Sequence, residues 1–123
     1  MLRYFNVCGA SLSKKIGLIA STDSLFKNIS TEIMRKKPII KIYGNDYKTP
    51  DGTAIRDYIH VSDLADLHLK ILNKVSTVNK SIIVNCGYQR GTSVIEVVNE
   101  FKKQIKKDIS ILYKKRRQGD LAM

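Results

Sequence analysis

Arg56 stands in the run Ile55-Arg56-Asp57-Tyr58-Ile59, where a cation sits among residues suited to a core. A guanidinium there needs an anionic partner, because an unpaired buried charge is too costly to keep. One candidate is a carboxylate, either Asp57 or one distant in sequence, which would make a structural ion pair. The other is a phosphate or diphosphate, whose oxygens a planar guanidinium matches. A second charged group is Arg116-Arg117-Gln118-Gly119-Asp120. At that spacing one guanidinium can face a phosphate while the carboxylate accepts from ribose hydroxyls; a solvated charged tail is the plain alternative. Cys8 and Cys86 have no second Cys or His near them at metal-ligand spacing, so they read as small core residues in a reducing compartment, and no metal is expected. His60 and His68 lie eight residues apart, beyond the one-turn spacing that brings two imidazoles to one metal. No residue is assigned a catalytic role.

Turns and amphipathic elements must position these groups. Leu2–Val7 is β-prone, and Ile39–Tyr43 predicts a strand with Lys41 facing away from Ile40 and Ile42. Between them Gly9–Thr22 reads as a loop, and Asp23 is the expected cap of a helix to about Arg35, with Leu25, Ile29 and Ile33 on one face and Phe26 and Met34 beside it. Pro38 ends that helix. Gly44, Asn45, Pro50, Asp51 and Gly52 are turn formers after the second strand. Ser62 and Asp63 open a helix to about Val75 with Ala65, His68, Leu69 and Leu72 on one stripe, and Asp66 and Lys70 are spaced for a surface pair. Ser81–Asn85 predicts a strand and Gly87–Gly91 a turn. Ser93 and Glu96 form a capping box before Val94, Val97, Val98, Phe101 and Ile105, a helical apolar period. Ile109–Tyr113 predicts the last strand. Four or five strands and three helices make an α/β fold.

The chain has 123 residues, 43% of them hydrophobic, which suits one modest core. No apolar run reaches the roughly 18–20 residues of a membrane span, and no signal-peptide hydrophobic region follows Met1-Leu2-Arg3. A cytoplasmic, soluble protein without membrane association is expected. The net charge of +11 suggests nucleic acid, and eight of the 22 basic residues fall in Lys102–Arg117. Against that stand the 16 Lys to 6 Arg and the 16 Ile, a bias that A- and T-rich coding would produce. No aromatic residues interleave with Gly and no zinc-finger or basic-zipper spacing occurs, so nucleic acid is not the expected partner.

The run GNDYKTPDGTAIRDYIHVSDLAD, from Gly44 to Asp66, resembles a segment of UDP-glucose 4-epimerases, of the extended short-chain dehydrogenase/reductase superfamily. Leu2-Arg3-Tyr4-Phe5-Asn6, Asn85-Cys86-Gly87 with Gly91-Thr92-Ser93-Val94, and Arg116 to Asp120 match in the family's order. The resemblance implies that Phe5 lines the nicotinamide side of a bound NAD, that Asn6 and Arg56 bind the sugar-nucleotide diphosphate, and that Arg117 and Asp120 meet a phosphate and the ribose. It implies that the backbone at Lys41 and Ile42 and the ring of Tyr43 form the uracil edge, and that Val94 packs beside the base. Ser24-Leu25 stands where the family has Asn-Leu, so the nucleotide contact there has a shorter side chain. Tyr4 and Phe5 could instead be core alone.

Hydride chemistry in that family needs a Gly-rich phosphate turn and a Tyr-x-x-x-Lys base. This sequence contains no G-x-x-G-x-x-G, and none of its tyrosines is followed four residues later by Lys. The expectation is therefore a C-terminal substrate-binding fragment of a Rossmann-type protein: residues 1–10 a strand of the dinucleotide domain, residues 11–123 the UDP-sugar lobe. It should be inactive as an isomerase alone, with an exposed sheet edge and apolar face. Expected partners are a UDP-sugar and either a separately encoded N-terminal half or a second copy of the chain. A non-enzymatic UDP-sugar binder is the alternative.

Overall fold

A computed structural model describes residues 1–13, 15–18 and 24–123. The fold is α/β, with seven short strands and three helices among the described residues: β1 (Leu2–Tyr4), β2 (Asn6–Cys8), α1 (Leu25–Glu32), β3 (Ile39–Tyr43), β4 (Ile55–His60), α2 (Val61–Val75), β5 (Val84–Cys86), β6 (Gly91–Ser93), α3 (Val94–Ile105) and β7 (Ser110–Lys114). The chain forms two compact units that interleave in sequence, Met1–Ala20 with Asp57–Arg90, and Ser21–Arg56 with Gly91–Met123.

In the first unit the run expected as one strand is two. Leu2–Tyr4 pairs in parallel with Val84–Cys86, and Asn6–Cys8 pairs in parallel with Tyr58–His60. Phe5 is where the strand exchanges one neighbour for another, and its N–H still reaches Cys86 O at 3.4 Å. Partner exchange of this kind accounts for part of the excess over four or five strands. Ile59, Leu64 and Cys86 form the core, with Leu2 and Leu67 against them.

Helix α2 starts one residue before Ser62, and its cap is His60, whose Nδ1 accepts from Ser62 N at 3.2 Å. The stripe expected to face inward does not. Leu69 is 62% and Leu72 67% exposed, Ala65 and His68 also face solvent, and the inward residues are Leu64, Leu67 and Ile71. Both stripes have helical spacing, and the sequence period alone cannot choose between them. Asp66 and Lys70 do not form the expected pair; the described ion pairs are Arg35–Glu32, Arg56–Asp120 and Arg116–Asp46.

In the second unit β3 and β7 pair in parallel from Ile39↔Ser110 to Tyr43↔Lys114. As the sequence predicts, Ile40 and Ile42 are buried and Lys41 is exposed. Helices α1 and α3 both pack on β3, and Phe26 meets Phe101 edge-on at 6.0 Å between ring centroids. Val97, Val98, Ile29 and Ile109 are buried. The capping box of α3 is formed: Ser93 Oγ accepts from Glu96 N at 3.1 Å and Glu96 Oε2 from Ser93 N at 2.7 Å.

Helix α1 ends at Glu32 rather than Arg35, and Met34 is 84% exposed instead of joining the apolar face. Lys107 ties down the chain just past the helix end, its Nζ donating to the carbonyl of the C-cap residue Ile33 at 2.7 Å and to that of Arg35 at 2.5 Å. The expected cap Asp23 lies outside the described residues. Ser24 occupies the N-cap position without a side-chain capping bond.

Candidate functional site

The loop from Gly44 to Ala54 brings Arg56 to its position, and backbone bonds knit it. Tyr47 N donates to Gly52 O at 3.0 Å, Gly52 N to Thr49 O at 3.2 Å, and Thr49 Oγ1 to Thr53 O at 2.7 Å. Gly52, at φ +76°, lies so close to the Asn45 carbonyl that a Cβ would collide with it. Asp51 Oδ1 accepts from both Thr53 N (2.8 Å) and Thr53 Oγ1 (2.7 Å), and Thr53 Oγ1 in turn accepts from Ile95 N at 3.3 Å. Burial pushes the Asp51 carboxyl up, but hydrogen bonds from Ser93 and Thr53 outweigh it and hold the group below its ordinary value. One carboxylate thus ties the turn to the start of α3, and β4 begins two residues beyond Thr53.

Arg56 is the second residue of β4. Its Nη1 donates to Ile55 O at 2.8 Å, and its Nη2 lies 3.4 Å from Asp120 Oδ1. Asp57 is not its partner: that carboxylate accepts from Tyr88 N at 3.0 Å and Gln89 N at 2.8 Å, holding the turn after β5. Two residues singled out for ligand binding therefore meet each other, a distant-carboxylate ion pair joining Arg56 to the Arg116–Asp120 segment. Its neighbour Arg117 lies over the ring of Tyr43, 4.0 Å from the centroid. Arg116 lies over Tyr47 at 4.2 Å and pairs with Asp46 at 2.7 Å. That pairing holds the Asp46 carboxyl below its usual value.

Tyr43, Arg56, Arg117 and Asp120 accordingly form one linked surface within the second unit, with positive charge at the C-terminal ends of β3 and β7. Lys41 and Ile42 lie on β3, opposite Leu112 and Tyr113. Val94 opens α3 and donates its N–H to Ala54 O at 3.0 Å. Leu25 is half-buried at the start of α1, beside Ser24.

Phe5 and Asn6 belong to the first unit. Asn6 is exposed on β2, and Tyr4 and Phe5 are exposed, so the reading of these two rings as core alone does not hold. A Cβ on Gly87 would strike the Phe5 ring and the Asp57 carboxylate, so glycine lets that ring lie close to the turn after β5. Both histidines have structural partners. His60 caps α2, and His68 bonds Leu64 O and Tyr4 Oη, each at 2.7 Å.

Sequence reasoning missed several groups. Asp63 bonds the Tyr88 hydroxyl and holds its proton on, raising that phenol above its ordinary value. Asp51 carried a readable signal, an Asp two residues before a Thr within T-P-D-G-T, the pattern of a side-chain-closed turn. Asp46, Tyr47 and Lys107 carried none.

With this geometry in view, known proteins supply the context. The model of the NAD dependent epimerase/dehydratase family matches residues 1–87, and the chain belongs to that family. It is similar to the UDP-glucose 4-epimerases of Azospirillum brasilense, 42% identical over 121 residues, and of Bacillus subtilis, 40% over 124. These matches cover 98% and 99% of this chain but only 35% and 37% of those proteins, so the chain spans about a third of their length.

Among solved structures, the UDP-glucose 4-epimerase of Stenotrophomonas maltophila with bound NAD and formylated UDP-arabinopyranose matches with TM-score 0.91 and 36% identity, over 98% of this chain and 37% of that one. The Bifidobacterium longum enzyme in complex with NAD+ and UDP matches with TM-score 0.76 and 36% identity, over 98% and 36%. The α/β architecture is thus part of a Rossmann-type, extended short-chain dehydrogenase/reductase fold.

The described residues do not by themselves fit a dinucleotide. A pyrophosphate cradle needs backbone N–H groups at a Gly-rich helix start. Helices α2 and α3 carry Asp63 and Glu96 in their first turns, Glu96 closing the capping box of α3, and α1, which has no acidic residue in its first turn, is preceded in sequence by Ile19 to Ser24 with no glycine among them.

Proposed function

We propose that this chain carries the UDP-sugar-holding part of a UDP-glucose 4-epimerase site, with Arg56 and Arg117 facing the diphosphate and Asp120 the ribose. Lys41, Ile42, Tyr43 and Val94 border the base, and Ser24 and Leu25 flank the nucleotide; Asn6, in the first unit, keeps the diphosphate-binding role that the family resemblance implies for it. The observation that carries this reading is the linked surface of Tyr43, Arg56, Arg117 and Asp120, drawn from residues up to 77 positions apart on a chain similar to epimerases. Of its two guanidinium groups one lies over the Tyr43 ring and the other, partly buried, pairs with Asp120, and the planar fork of each matches phosphate oxygens.

Epimerisation at C4 needs a hydride carrier and a base. NAD supplies the first when bound, and this sequence has neither the Gly-rich phosphate motif nor a Tyr-x-x-x-Lys pair. On this reading residues 1–123 do not turn over UDP-glucose by themselves and depend on a segment or chain that carries those groups, such as a separately encoded N-terminal half; Phe5 is the residue here assigned to the nicotinamide side. Cytoplasmic carbohydrate metabolism of galactose is the setting this reading implies.

Thermal melting of the chain with millimolar UDP tests it. A ligand at about 100 times its Kd stabilises by about 2.7 kcal/mol, and Arg56→Ala should abolish the rise in Tm. No UDP-dependent rise in a cooperatively melting parent chain would refute the reading, as would 4-epimerase turnover by the purified chain with NAD refute its dependence on a partner.

A further inference from the structure

A short stretch of chain sets Asp120 against Arg56. Gly119 adopts φ +81° with open space where a Cβ would stand, and Asp120 N donates back to Arg117 O at 3.3 Å. Two residues later Ala122 O accepts from Ile55 N at 2.9 Å, so the segment runs beside the start of β4. The resulting ion pair is long at 3.4 Å, uses one carboxylate oxygen, and joins side chains that are 21% and 37% exposed. A pair of that kind contributes little net stability, so it is a removable cover and not a fixture. Two of the five N–H donors of the guanidinium are engaged, by Ile55 O and Asp120.

We propose that Asp120 determines specificity by covering Arg56 against bare anions, and that the pair opens for a ligand offering a vicinal diol to the carboxylate together with a diphosphate to the guanidinium. The proposal rests on the reading of Arg56 as a phosphate-binding group. Inorganic phosphate or pyrophosphate presents the same oxygens to the guanidinium fork, but it must displace Asp120 and leave a carboxylate beside the bound anion. A nucleoside diphosphate exchanges one weak pair for two charge-assisted contacts, guanidinium to phosphate and diol to carboxylate. The carboxylate therefore acts on affinity in opposite directions for the two ligands. A carboxylate set well away from Arg56 would leave pyrophosphate binding nearly unchanged.

Calorimetric titration of the 123-residue chain with pyrophosphate and with UDP separates these cases. Asp120→Asn should bind pyrophosphate about three- to fivefold tighter and UDP more weakly than the parent chain. Asp46→Asn, which removes the same charge from a different pair in the same unit, should leave pyrophosphate binding within about twofold. Unchanged or weaker pyrophosphate binding by Asp120→Asn, or equal tightening by Asp46→Asn, would overturn the proposal while Arg56→Ala still abolished binding. If Arg56→Ala left both ligands' affinities unaltered, the reading of Arg56 itself would fall. Asp120→Ser serves the same comparison should the amide variant not fold.

Discussion

Replacing Asp51 with Ala removes the oxygen to which both the N–H and the hydroxyl of Thr53 donate. Thr53 is fully buried, so neither donor gains water in exchange. A buried donor left unsatisfied costs about 1–3 kcal/mol. Because the two share one acceptor and the hydroxyl can rotate, the loss should be about 2–4 kcal/mol, on the order of 10–20 °C in Tm for a domain of this size. Asp51→Asn keeps an acceptor and should cost about 1 kcal/mol. The carboxyl is held below its ordinary value when folded, so its contribution is present above the unfolded pKa and is lost as pH falls through the folded one. In urea titrations at several pH values, the parent should lose stability below about pH 4, and the Asn variant should show a shallower acid decline. An Ala variant within about 0.5 kcal/mol of the parent, or an Asn variant with an undiminished acid slope, would refute the assignment of Asp51 as the anchor of this turn.

Two further substitutions probe the same loop. Tyr47 is buried beneath Arg116, and its hydroxyl has no hydrogen-bond partner among the described residues. Tyr47→Phe should therefore be neutral or stabilising by about 1 kcal/mol in chemical denaturation; a loss above that size would show that the hydroxyl is satisfied. Gly44 and Gly119 both have positive φ, +86° and +81°, but a Cβ on Gly44 would strike the Tyr47 ring and stand 2.9 Å from Arg116 Cγ, whereas one on Gly119 meets nothing within 4 Å. Gly44→Ala should cost about 2–3 kcal/mol and Gly119→Ala about 1 kcal/mol; equal losses would mean that backbone conformation alone sets the penalty.

The sequence by itself determined the local elements whose causes are local. The capping box Ser93–Glu96, the alternation of Ile40, Lys41 and Ile42, and the apolar face of α3 all follow from residues within a turn or a strand of each other. The α/β class and the family resemblance were legible too, because long motifs such as Gly44–Asp66 survive as contiguous sequence. Tertiary structure decided what depends on distant partners. It split Leu2–Val7 at Phe5 by giving each half a different neighbour, and chose Leu64, Leu67 and Ile71 over Leu69 and Leu72 as the inward stripe of α2. It brought to the C-cap carbonyl of α1, at Ile33, a lysine 74 residues away. Arg56 illustrates the division best. Its surroundings in sequence demanded an anion, but only the fold brought Asp120, 64 residues on, to meet that demand. A charge's need is set by its own burial, while the identity of its partner is set by where the rest of the chain returns.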